Sequence, residues 1–234
     1  MGTTKFSAVF IQMFVLVLPL CFGKGSEGGA TASNELVVWS RKPARRWASE
    51  TYPIGNGRLG CMAFGGTVEE RIQFNEDSLW IGDESDTGAY QNFGEIVIEL
   101  GHKKVENYKR QLDISAAVYT ITYVSEGVRY KRQYFASYPA QVIVFRFTAD
   151  KQSSYNVVVS LLDAHNAETK VEGNTLFVSG NLAGYTFGRR KKTSKKAYSI
   201  ALDYEARVMV LNCLLYTSDA ADEGLGVDLG GRRI

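Results

Sequence analysis

With three cysteines, two histidines and four prolines in 234 residues, the chain has little material for a disulfide framework, a zinc centre or a proline-rich linker. A zinc site takes three or four ligands. His102 and His165 stand in separate turn-like contexts without metal-ligand spacing, so no metal or other cofactor is expected. No serine lies within G-x-S-x-G, which removes the nucleophile-elbow hydrolases. An excess of one charge is missing too. The 27 basic and 25 acidic residues leave +2, a balance that argues against nucleic acid or a polyanion as partner. The one dense basic run, RRKKTSKK at 189–196, lies between expected strands and reads as a solvated loop.

What is present begins with an apolar run. Lys5 is followed by AVFIQMFVLVLPLCFG at 8–23, a basic start and a short hydrophobic stretch closed by small residues. Residues 1–23 therefore read as a secretory signal, and the protein is expected to be exported to a periplasmic or extracellular space. A membrane anchor fits less well, because Gln12 and Pro19 interrupt a run already short of a bilayer span. Cys21 suggests a lipidation site, but Leu20 is too large for the preceding position, which disfavours a lipoprotein. GKGSEGGATASN at 23–34 reads as a flexible leader.

At the other end, residues 213–234 show neither strand alternation nor helical period. CLLYTSDAADE matches the translation of a sequencing-library adapter, so the authentic domain is expected to stop near Asn212. Without the signal, which holds Cys21, and the tail, which holds Cys213, Cys61 is the remaining cysteine. It has no partner for an internal disulfide, and within CMAF it reads as a small core residue.

Between these ends, residues 36–212 consist mostly of short apolar or alternating runs bounded by turn residues. LVVW, RLGCMAF, RIQFN, EIVIEL, YTITYV, VRYKRQYF, QVIVFRFTA, YNVVVSLL, NTLFVSG and SIALDYEARVMVL all read as strands. Ser125-Glu126-Gly127 supplies a compact hairpin turn. KKVENYKRQLD at 103–113 is the best candidate for a helix, although its second half also alternates as a strand would. Many strands without strand–helix alternation imply an all-β fold, a large antiparallel β-sandwich.

GNGRLG at 55–60 matches the dinucleotide pattern G-x-G-x-x-G, with Asp77 at the distance of a ribose-binding acid. Its flanks exclude that reading. Pro53 stands where a central strand should be, and Gly65 and Gly66 would end the required helix within two turns. A turn feeding a β-hairpin fits instead. Farther on, Asn75-Glu76-Asp77 with Trp80 combines two acids and an aromatic platform, the composition of a sugar site. Adjacent strand residues point to opposite faces, so Glu76 and Asp77 make a poor acid/base pair. A polar turn capped by a core tryptophan explains the same residues equally well.

Taken together, LVVWSRKPARRWASETYPIGNGRLGCMAFGG, VEERIQFNEDSLWIG, YQNFGEIVIEL and the stretch from YKRQLDISAAVYT through FRFTAD to LLDAHN resemble the N-terminal domain of glycoside hydrolase family 95. The resemblance covers roughly residues 36–211. It implies an α-L-fucosidase, chiefly 1,2-linked, or an α-L-galactosidase, whose sandwich precedes a helical linker and an (α/α)6 barrel. It also implies that the inverting chemistry belongs to the barrel, where a glutamic acid serves as general acid and asparagine and aspartate groups activate water. No catalytic residue carries over to this chain. The family's Gly-Asn-Gly-Arg and Asn-Glu-Asp-x-Leu-Trp motifs fall on Gly55, Asn56, Gly57, Arg58, Asn75, Glu76, Asp77, Leu79 and Trp80. Asn56, Arg58, Asn75, Glu76, Asp77 and Trp80 are therefore the expected substrate-binding or barrel-interface residues. The expected partners are a fucosylated glycan and the barrel in cis. A stand-alone carbohydrate-binding or scaffold module, or the N-domain of a related phosphorylase, is the competing expectation.

Overall fold

The computed structural model describes residues 8–19, 36–83, 86–185 and 202–212. The end of the expected secretory signal and the expected flexible leader at 24–35, the basic run at 189–196 and the segment 213–234 lie outside the described residues. Apart from one helical turn, α1 (Trp47–Glu50), the regular elements of the described residues are almost all strands.

The larger sheet runs in spatial order β14 (Thr169–Glu172), β15 (Thr175–Asn181), β16 (Asp203–Asn212), β1 (Ala8–Pro19), β12 (Val142–Ala149), β11 (Val128–Ser137), β10 (Val118–Ser125), β9 (Glu106–Asp113), β2 (Val37–Ser40). The smaller sheet runs β13 (Val158–Asp163), β8 (Gly94–Glu99), β5 (Glu69–Glu76), β4 (Leu59–Ala63), β3 (Tyr52–Gly55). A separate hairpin pairs β6 (Trp80–Asp83) with β7 (Asp86–Tyr90). The two sheets pack face to face as an all-β sandwich.

Period-two patterning explains the layers. On β10, Tyr119, Ile121 and Tyr123 are buried while the residues between them are half-exposed. On β5, Glu70, Ile72, Phe74 and Glu76 turn inward, and Arg71 and Gln73 outward. Ile96 and Ile98 of β8 and Phe145 and Phe147 of β12 complete a continuous core between the sheets. Aromatic contacts cross it: Tyr52 meets Tyr119 edge-on at 5.4 Å and Phe93 meets Tyr204 at 5.2 Å, geometries that add to simple burial.

Two expectations change and one holds. The helix candidate at 103–113 is strand β9 over its greater part, pairing β10 on one side and β2 on the other. Those ladders satisfy its backbone, and Arg110 turns inward, its Nε donating to the Lys42 carbonyl at 2.8 Å. Its guanidinium lies 4.3 Å from the Tyr52 ring centroid. The hairpin expected around GNGRLG is present, and its first strand, β3, lies at the sheet edge, where Pro53 costs no ladder hydrogen bond. Finally, every described ladder is antiparallel except those of β1, which runs parallel to both β12 and β16. The apolar run expected as part of a secretory signal thus occupies a strand position in the larger sheet.

Candidate functional site

The GNGR and NEDSLW motifs meet at one corner of the sandwich. GNGRLG turns tightly between β3 and β4, with Gly55 paired to Gly60. Asn56 organises this turn. Its Oδ1 accepts the backbone N–H groups of Arg58 at 3.1 Å and Leu59 at 2.8 Å, and its Nδ2 donates to the Ser137 carbonyl at 2.9 Å. Gly57 has φ +95°, a conformation that costs an L side chain free energy whatever the space around it.

Arg58 joins three segments. Its Nε donates to Gln141 Oε1 at 2.7 Å, in the turn between β11 and β12, and its Nη1 donates to Glu76 Oε1 at 3.0 Å. Its backbone carbonyl accepts the Asp77 N–H at 3.0 Å. Glu76 is buried, and both of its oxygens are engaged, because Oε2 accepts the N–H and hydroxyl of Ser78 at 2.7 and 2.6 Å. A carboxylate held this way ties the β3–β4 turn to the segment that follows β5 through charge-assisted hydrogen bonds.

The remaining motif residues diverge. Asp77 is exposed beside the buried Glu76, so the two acids point apart. Asn75 sits on the outer face of β5, with no partner for its buried Oδ1 among the described residues. Leu79, fully buried, is the hydrophobic anchor of the motif. Trp80 is not a core tryptophan. It is 38% exposed, packs edge-on against the 60% exposed Tyr90 at 4.4 Å, and donates its indole N–H to the Thr87 carbonyl at 2.5 Å. Together Trp80 and Tyr90 form an aromatic ledge on the β6–β7 hairpin, which the strand reading did not foresee.

A cleft of ≈390 Å³ lies elsewhere, on the outer face of the smaller sheet, lined by Arg45, Trp47, Phe64, Arg71, Gln73 and Glu95 among others. None of the expected site residues lines it. Among the described residues no three His, Cys, Asp or Glu side chains gather as a metal site, and no helix is long and apolar enough to cross a membrane.

A family model described as glycosyl hydrolase family 65, N-terminal domain, matches residues 38–88 and 83–218. The chain belongs to this family. Curated relatives of this family 65 N-terminal domain include alpha-L-fucosidase 2 of Arabidopsis thaliana, 28% identical over 217 residues, covering 75% of this chain and 26% of the relative. A probable alpha-fucosidase A of Aspergillus oryzae is 27% identical over 169 residues, covering 53% of this chain and 23% of the relative. That of Aspergillus niger is 27% identical over 157 residues, covering 48% and 20%. The chain thus spans about a quarter of the length of the relatives it matches. The match fits the sandwich and the motif-level resemblance to a glycoside hydrolase N-terminal domain.

Proposed function

We propose that this domain is the non-catalytic N-terminal sandwich of an exported, inverting glycoside hydrolase of the family 95 type, acting on terminal α-L-fucosides. Its motif corner packs against an (α/α)6 barrel in cis and shapes the rim of that barrel's pocket. The relatives' names supply the sugar class. The observation that carries the division of labour is the state of Glu76. With one oxygen on Arg58 and the other on Ser78, it braces the corner, and this supports a reading in which proton transfer falls to the barrel. Asp77, Trp80 and Tyr90 lie exposed beside it, as an acid and an aromatic ledge able to meet a sugar ring or a neighbouring domain.

This chain alone releases no fucose from a 2′-fucosylated oligosaccharide, and measurable release would overturn the assignment. In the barrel-containing enzyme, Trp80→Ala or Asn75→Ala lowers kcat/KM by roughly tenfold, the value of one modest contact. Unchanged activity and unchanged melting temperature in both variants would remove the rim role. The exposed ledge also supports a second reading, a carbohydrate-binding module. Glycan titration separates the two, because an independent binder holds sugar without the barrel.

A further inference from the structure

The larger sheet contains one directional anomaly. β11 runs antiparallel to β12 and β15 antiparallel to β16, as expected of a sandwich. Yet β12 and β16 run the same way as each other, since β1 between them is parallel to both. Gln12–Pro19 register with Val142–Ala149, and Ala8–Val17 with Asp203–Asn212. Two like-directed strands one strand-width apart, about 4.8 Å to either side, are what an antiparallel sheet builds around a strand of opposite direction. The slot is antiparallel by design of its neighbours and parallel in its occupant.

The slot is also central to the core. Phe145 and Phe147 of β12 and Ala206 and Val208 of β16 all sit at 0–1% exposure in the same cluster. Left empty, the slot would strip two strand edges of their partners and open the core between them. Its occupant must therefore be an extended segment of about the length of its neighbours, eight residues in β12 and ten in β16, with apolar residues on its inward face. An almost uniformly apolar run such as AVFIQMFVLVLP meets that demand in either direction, because it lacks the alternation that fixes a register.

Chain geometry names the resident. β15 takes one side of β16, so a tight turn after Asn212 can return the chain only into the slot, antiparallel to β16 and to β12 at once. The relatives are about four times as long as the part matched here. We propose that the β12–β16 slot is the seat of a strand supplied by the polypeptide that follows Asn212 in the longer enzyme. The apolar run Ala8–Pro19 fills it in this chain as a substitute. This inference rests on the domain's belonging to a longer protein and is independent of sugar specificity.

Hydrogen exchange read by mass spectrometry tests it on the 234-residue chain and on the same gene carried on through its genomic continuation, each with and without residues 8–19. Deleting 8–19 from the shorter chain should speed amide exchange in 142–149 and 203–212 at least tenfold. The same deletion in the longer protein should change neither exchange nor Tm. Retained protection in the shortened chain would show that the slot closes by itself. Lost protection in the longer one would show that the apolar run at 8–19 is the resident strand. Either result overturns the proposal. Should the shortened chain fail to fold, Phe14→Pro in the longer protein decides: an unchanged Tm supports the proposal and a lowered Tm overturns it.

Discussion

Glu70 on β5 and Arg132 on β11 meet at 2.9 Å across the sandwich, and neither side chain has any solvent exposure. Glu70 Oε1 also accepts the N–H groups of Phe64 and Gly65, at 3.1 and 2.8 Å, while Arg132 Nη2 donates to the Gly66 carbonyl at 2.7 Å. Burial pushes the Glu70 carboxyl up, and the Arg132 guanidinium and these N–H groups oppose that push. The Gly65 turn, φ +78°, leaves no room for a side chain, since an added Cβ would meet the Tyr119 and Tyr108 hydroxyls at 2.6 and 2.7 Å. The pair thus rivets both sheets to one loop.

Removing one partner strands a buried charge. Arg132→Met is expected to cost about 3–5 kcal/mol, and Glu70→Gln with Arg132→Met together less than Arg132→Met alone. Urea unfolding of the single and the double variant checks this, and a loss under about 1 kcal/mol in Arg132→Met would contradict it.

The motif turn offers a finer test. Gly57→Ala forces a Cβ into φ +95° and should destabilise by about 1–2 kcal/mol, although nothing lies within 4 Å of the new atom. Asn56→Ala removes two turn acceptor contacts and the bridge to Ser137, with a loss of similar size. Thermal melts of both variants suffice. Wild-type stability in Gly57→Ala would mean that the turn relaxes to negative φ.

Stability should also weaken in mild acid. Burial, helped by the Arg132 charge and opposed by Glu126, holds His102 below its usual pKa. Burial does the same to His165 against the pull of Asp163. A histidine with a depressed folded-state pKa binds its proton more readily when unfolded, so stability falls as pH drops below about 6.5 and levels off below the folded value. The urea midpoint of the parent should therefore drop between pH 7.5 and 5.5 by more than that of His102→Gln. Equal drops would exclude His102 as the cause.

Cys61 should be inert in the folded state. It is a buried free thiol, and burial with the nearby Glu70 charge pushes its pKa up, which suppresses the reactive thiolate. In a chain carrying Cys21→Ser and Cys213→Ser, a thiol reagent should label Cys61 only at the rate of global opening. Rapid labelling in the absence of denaturant would refute its place in the core.

By itself, the sequence determined the all-β class, the run of strands from LVVW to VMVL and the hairpin reading of GNGRLG. Alternation at period two and turn residues are local signals, written in each segment independently of its neighbours. It also determined which motif residues belong together, because GNGR and NEDSLW were legible as units. Only the tertiary structure decided how they are joined. The bridges from Arg58 to Glu76 and to Gln141 span 18 and 83 positions, distances over which no local pattern carries information. The same holds for the Glu70–Arg132 pair, whose members sit in alternating strands where a charged residue reads as solvent-facing, and for Trp80, whose exposure depends on a hairpin formed with Tyr90. KKVENYKRQLD became a strand for that reason too: the ladders offered by β10 and β2 outweighed an ambiguous local preference.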